Sequence, residues 1–107
     1  MHRLAAVAET MRCSSPDSET LVLSGALTFA TAAQVLQEAS RALEQGARSR
    51  LDLGGITRTD SAGLACVLAL LARASRDERR LTVANAPDGL RALAEVCDAG
   101  GLICDHP

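Results

Sequence analysis

The sequence is nearly without aromatic side chains: of its 107 residues none is tryptophan or tyrosine, and Phe29 is the one phenylalanine. A single aromatic gives no platform for stacked bases and a formal charge of −2 gives no basic footprint for phosphates, so nucleic acid is not an expected partner. The four cysteines, Cys13, Cys66, Cys97 and Cys104, form no Cys-x-x-Cys pair, and the two histidines, His2 and His106, stand at the chain ends, so no metal-ligand spacing is present. Long apolar runs are missing too. The longest, Ala62 to Ala72, is about half of the roughly 20 residues that span a bilayer. The opening "MHRLAAVAETMRC" is interrupted by Glu9 and Arg12 before a signal-type apolar core develops. No direct membrane span and no export are expected, which places free thiols in a reducing cytoplasm.

The chemistry of catalysis is equally sparse. No Gly-x-x-x-x-Gly-Lys-Ser/Thr loop occurs, and Gly54-Gly55 has no lysine after it, so nucleotide hydrolysis by this chain is not expected and no cofactor is implied. A nucleophilic Cys66 or Cys97 would lack an internal histidine as base, and the apolar helix around Cys66 would raise its pKa. The chain reads as a non-enzyme.

What is present is a globular composition, 48% hydrophobic and 22% charged, of a length that suits one domain over residues 1–107 with a single modest core. "LAAVAETMRC" is a weak first strand, "SSPDSE" a turn cluster and "TLVLSG" a clear strand. From Thr31 to Gln45, Ala32, Val35, Leu36, Ala39 and Leu43 share a helical face; Thr31 and Gln34 have capping-box spacing and Gly46 is a natural stop. "RLDLGG" reads as a short strand ending at its paired glycines, with "ITRTD" a loop leading to a helix from about Ser61 to Ser75. "LTVANA" is the last strand, and Pro87 opens a closing helix that carries Leu90, Leu93, Ala94 and Cys97. The order β-β-α-β-α-β-α predicts an α/β fold: a mixed, mostly parallel sheet of about four strands with some three helices, the first strand pairing at an edge through the Pro16 turn.

The second helix carries more apolar surface than one packing face needs. Leu64, Val67, Leu68 and Leu71 fall on one side and can cover the sheet. Ala62, Cys66, Ala69 and Leu70 form a second stripe, continued by Arg73 and Arg76, which either the domain's other helices cover or a partner protein does. The arginines Arg73, Arg76, Arg79 and Arg80 read as a solvated helix end, with a partner or anionic lipid headgroups as the alternative contact. At the start of this helix stands "TDSAGL". Ser61 and Asp60 are both able to cap the helix, and a serine at a helix N-terminus is also a position where the dipole and free amides tolerate a phosphate. Gly63 in the first turn implies close approach, by the domain's own loop or by another molecule.

"LDLGGITRTDSAGLACVLALLARA" followed by "LTVANAPDGLRALAEVCDAGGLI" resembles the STAS domain family, whose pattern is a strand ending in Asp-Leu, a short loop, Asp-Ser/Thr-x-Gly-Leu and an apolar helix. The resemblance is strongest over residues 20–103. Two branches compete. In anti-sigma-factor antagonists the serine of the motif is phosphorylated by a serine-kinase anti-sigma factor, which implies that role for Ser61. The MlaB branch comprises small STAS subunits that bind the ATPase subunit of the Mla phospholipid ABC transporter. Arg58 two before Asp60, the opening "GLACVLALL" and the segment "PDGLRALAEV" resemble the second branch more. The resemblance implies a cytoplasmic protein, peripheral at the inner membrane through its partner. It also implies a contact made by Arg58, Thr59, Asp60, Ser61, Ala62, Gly63, Cys66, Ala69, Leu70 and Arg73, with no catalytic or metal-binding residue.

Overall fold

Turn chemistry starts the fold. Asp17 Oδ1 accepts the N–H groups of Glu19 and Thr20, each at 2.8 Å, and folds β1 (Met11–Ser14) back onto β2 (Thr20–Leu27). The chain continues through α1 (Ala32–Gln45), β3 (Arg50–Thr59), α2 (Ser61–Arg76), β4 (Thr82–Ala84) and α3 (Asp88–Val96) to a 3₁₀ turn at Gly100–Leu102. This is a computed structural model, and it describes residues 11–45 and 49–103. Gly46, the expected stop of α1, and the part of the first strand expected before Met11 lie outside the described residues.

The four-stranded sheet has the order β1-β2-β3-β4. β1 runs antiparallel to β2, with Met11 opposite Gly25 and Ser14 opposite Val22. β2–β3 and β3–β4 are parallel, with Leu21 opposite Leu51 and Leu51 opposite Val83. Two successive right-handed crossovers that step the same way across a sheet put both helices on the same face, so α1 and α2 share one side. Alternation along β2 agrees: Leu21 and Leu23 are buried, while Val22 and Ser24 on the other face are half-buried. The core beneath the helices is aliphatic. Leu21, Leu23, Leu27, Leu51, Leu53, Leu70, Leu90 and Ile103 are fully buried, and each such side chain stabilises the fold by about 1.5–3 kcal/mol through burial.

Three sequence expectations are corrected here. β3 does not stop at Gly54-Gly55 but runs on through "ITRT" to Thr59. Its register against β2 shifts twice, between Val22 and Ser24 and between Gly25 and Ala26, so β3 carries extra residues relative to its partner. The first bulge falls at the glycine pair: a Cβ on Gly55 would lie 2.7 Å from the Ser24 Cβ, so only glycine lets the strands pass there. The bulge also resets the alternation, bringing Ile56 inward three residues after Leu53.

The second correction is the face of α2. Gly63, Leu64, Cys66, Val67, Leu70 and Ala74 are buried, whereas Leu68 and Leu71 are half-buried at its flanks. Cys66 and Leu70, expected on an outer stripe, belong to the core because the helix is rotated to bring Gly63 onto β2. Third, Thr31 and Gln34 form no capping box. Thr31 Oγ1 donates back to the Ala26 carbonyl at 2.8 Å and accepts the Thr28 N–H at 3.0 Å, while Gln34 bonds Glu38 at 3.0 Å.

Candidate functional site

β3 ends at Asp60, whose extended backbone (φ −141°, ψ −171°) places its carboxylate over the first turn of α2. Oδ1 accepts the Gly63 N–H at 3.0 Å and is the N-cap of the helix. Oδ2 accepts the Phe29 N–H at 3.0 Å and so ties the β2–α1 loop to the α2 N-terminus. The Phe29 N–H above all, then those of Gly63 and Ala62 with the Arg58 charge, hold the Asp60 carboxyl below its usual range against an opposing effect of partial burial.

With Asp60 as cap, Ser61 is released from that duty. It is the first residue of α2 and it is exposed. Of the two residues able to cap the helix, Asp60 does so and Ser61 does not. Gly63 is buried, and a Cβ there would overlap the Leu27 carbonyl oxygen and the Thr59 hydroxyl. The close approach that its glycine permits is made by the domain's own β2 and β3, not left open for another molecule.

The remaining candidates divide. Arg58 is exposed and, with Thr57, Ser61, Pro87, Gly89 and Leu93, lines a groove of about 530 Å³ between the end of β3 and α3. Thr59 is half-buried beneath Gly63. Ala62 and Ala69 are half-buried, and the exposed alanines of α2 are Ala65 and Ala72. Ser61, Ala62, Ala65, Leu68, Ala69 and Ala72 thus make an outer face of small and apolar side chains, in place of the stripe drawn through Cys66 and Leu70. Cys66 is closed to chemistry as well as to contact: burial first, and the neighbouring Cys13 second, push its thiol up to about 11. Arg73 turns to α1, pairing with Glu44 at 3.2 Å and reaching Ser40 Oγ at 3.4 Å, and Arg79 donates to the Leu43 carbonyl. Two of the four clustered arginines therefore fasten the end of α2 to α1.

One surface residue escapes sequence reasoning. Phe29 is 83% exposed, beside Ser61 by virtue of the shared Asp60. Its spacing gives no signal: Phe29 stands two residues after the buried Leu27 and three before Ala32, in phase with the apolar positions of both β2 and α1, yet it lies in solvent. Among the described residues, no helix is long and apolar enough to cross a membrane and no three His, Cys, Asp or Glu side chains group as a metal site.

The fold and motif have relatives. A family model described as MlaB, STAS domain, matches residues 11–104. No curated protein matches the sequence. Among solved structures, the chain is similar to the anti-sigma factor antagonist SpoIIAA in its unphosphorylated form, at TM-score 0.70 and 20% identity over 92% of this chain and 89% of that one. The phosphorylated form of the Bacillus cell fate determinant SpoIIAA is similar at TM-score 0.66 and 20% identity, covering 92% of each chain. A crystal structure of Mglu is similar at TM-score 0.57 and 26% identity over 77% of this chain, which spans only 20% of that one. The sheet order, the Asp60-Ser61-Ala62-Gly63-Leu64 motif at the strand-to-helix junction and the family match over most of its length together say that this chain belongs to the STAS domain family.

Proposed function

We propose that the chain is a non-catalytic STAS subunit that binds and stabilises the cytoplasmic ATPase of an Mla-type phospholipid ABC transporter. The observation that carries this reading is the exposed Ser61 at the head of a helix whose outer face, Ala62, Ala65, Leu68, Ala69 and Ala72, is apolar and built mostly of small side chains. Small side chains let a partner's backbone come close, and no acidic residue on α2 interrupts the face. The description of the matching family as MlaB points the same way. In this reading catalysis resides in the partner, and the chain reaches the membrane only through it.

A charge placed on such a face is desolvated against the partner without a counter-ion. Ser61→Glu and Ala65→Asp are expected to weaken the complex by a few kcal/mol and to leave the free domain folded. Ala69→Asp is expected to do the same with some loss of domain stability, since Ala69 is half-buried. Co-purification with the ATPase, checked by circular dichroism of each free variant, decides it. Wild-type binding by both Ser61→Glu and Ala65→Asp would refute the reading.

The exposure of the Ser61 hydroxyl favours one alternative: an anti-sigma-factor antagonist switched by phosphorylation of that serine, in keeping with the structural likeness to the anti-sigma factor antagonist SpoIIAA. Binding that follows reversible phosphorylation of Ser61, with a serine-kinase partner and no ATPase, would select it.

A further inference from the structure

The only aromatic side chain of this protein lies outside its core. Phe29 is 83% exposed although Leu27, two residues before it, is fully buried. A large apolar side chain left in water forgoes the stabilisation that burial would give, and aromatic residues, phenylalanine among them, are enriched at protein–protein interfaces relative to the rest of the surface. Phe29 is also held firmly. Thr28 and Thr31 on either side are buried, Thr31 Oγ1 bonds both the Ala26 carbonyl and the Thr28 N–H, and the Phe29 N–H is fixed by Asp60 Oδ2 at 3.0 Å. A side chain presented from an ordered loop loses less freedom on docking than one on a mobile loop.

We propose that Phe29 is the apolar anchor of the partner-binding face, entering an apolar pocket of the ATPase, and that Asp60 is the positioning residue that holds it beside Ser61. The inference rests on the reading of the chain as an ATPase-binding subunit. The same carboxylate reaches both loops, so Phe29, Ala30 and Ser61 form one exposed rim that continues into Ala65 and Ala72 on α2. The exposed cations Arg58 and Arg76 stand near the two ends of this rim, and α2 itself carries no acid. A complementary pocket is therefore apolar at its centre and carboxylate-bearing at its edge.

The test is a calorimetric titration of the purified chain against the purified ATPase subunit of the phospholipid ABC transporter from the same organism. Phe29→Ala is expected to weaken binding at least about 30-fold, and Phe29→Met to recover most of the loss. Val96→Ala, which truncates another exposed apolar side chain, is expected to bind as wild type. Asp60→Asn keeps one acceptor oxygen where two are needed and is expected to weaken binding by about tenfold in the wild-type background but far less once Phe29 is alanine. A merely structural Asp60 would cost the same in both backgrounds, and that result would overturn its positioning role. Full-strength binding by Phe29→Ala, with Ala65→Asp still impaired, would overturn the anchor while leaving the ATPase reading in place. Absence of binding by the wild type would overturn both. Concentration-dependent self-association that Phe29→Ala abolishes, seen by sedimentation without ATPase, would make the occupant a second copy and overturn the pocket on the ATPase.

Discussion

A carboxylate has two oxygens and can serve two donors at once, and Asp60 uses both, one on its own helix and one on a loop that is 31 residues away in sequence. Both bonds favour the ionised form, which is why the carboxyl titrates below its ordinary value. A group whose folded pKa is depressed contributes stability that is fully present above its unfolded value, near 3.8 for this residue, and loses it as the pH falls through the folded value. The stability gap between the wild type and Asp60→Asn is therefore expected to be constant near neutrality and to shrink on acidification below about 3.8. Urea titrations of the two proteins across that range would measure it. A gap that widens in acid would show that the hydrogen bonds favour the protonated carboxyl. Asparagine is itself a good N-cap, so the cap on Gly63 survives in that variant and the missing bond is the one from the Phe29 N–H.

At the scale of elements, α2 shows how packing decides what periodicity leaves open. Its sequence is apolar nearly all round, so two arcs, one through Leu64, Val67, Leu68 and Leu71 and one through Cys66 and Leu70, fit a helical period almost equally well. What selects the buried arc is Gly63, which lets the first turn press onto the Leu27 carbonyl and rotates Cys66, Val67, Leu70 and Ala74 inward. Leu70→Ala is accordingly expected to cost about 2–5 kcal/mol, and Leu68→Ala distinctly less because that side chain is only half-buried. Equal losses in chemical denaturation would mean that the helix is turned otherwise. The element order, the edge position of β1 and the start of the second helix at Ser61 are legible in the sequence because alternation, turn residues and the Asp-Ser-x-Gly-Leu motif each report on local backbone. The continuation of β3 is not. Gly54-Gly55 has the appearance of a turn, whereas the glycines answer to the cross-strand closeness of Ser24, a contact that local sequence does not encode. Phe29 is illegible for the same reason: nothing within the β2–α1 loop states that Asp60 will hold it.

For the molecule as a whole, the parallel strands β2 and β3 each feed a helix on the same side, leaving Val22, Ser24 and Asp52 on a sheet face that is only half-covered. Asp52 Oδ1 accepts the Gly54 N–H at 2.9 Å and a bond from Asn85 Nδ2 at 3.2 Å on that side, a small polar network joining β3 to the residue after β4. The contact proposed above lies instead where the parallel strands end, at the mouths of the β2–α1 and β3–α2 connections. There the Asp60 bridge has a kinetic consequence. The amides of Phe29 and Gly63 belong to different crossovers, yet each waits on the same carboxylate, and a rotation that withdraws it from one strains its hold on the other. Their hydrogen–deuterium exchange is then expected to be correlated, with both protection factors falling in Asp60→Ala while amides inside β2 and β3 keep theirs. Independent exchange of the two would show that the crossovers open separately. Shared exchange would mean that the face open to a partner breathes as one unit, whichever of its loops is touched first.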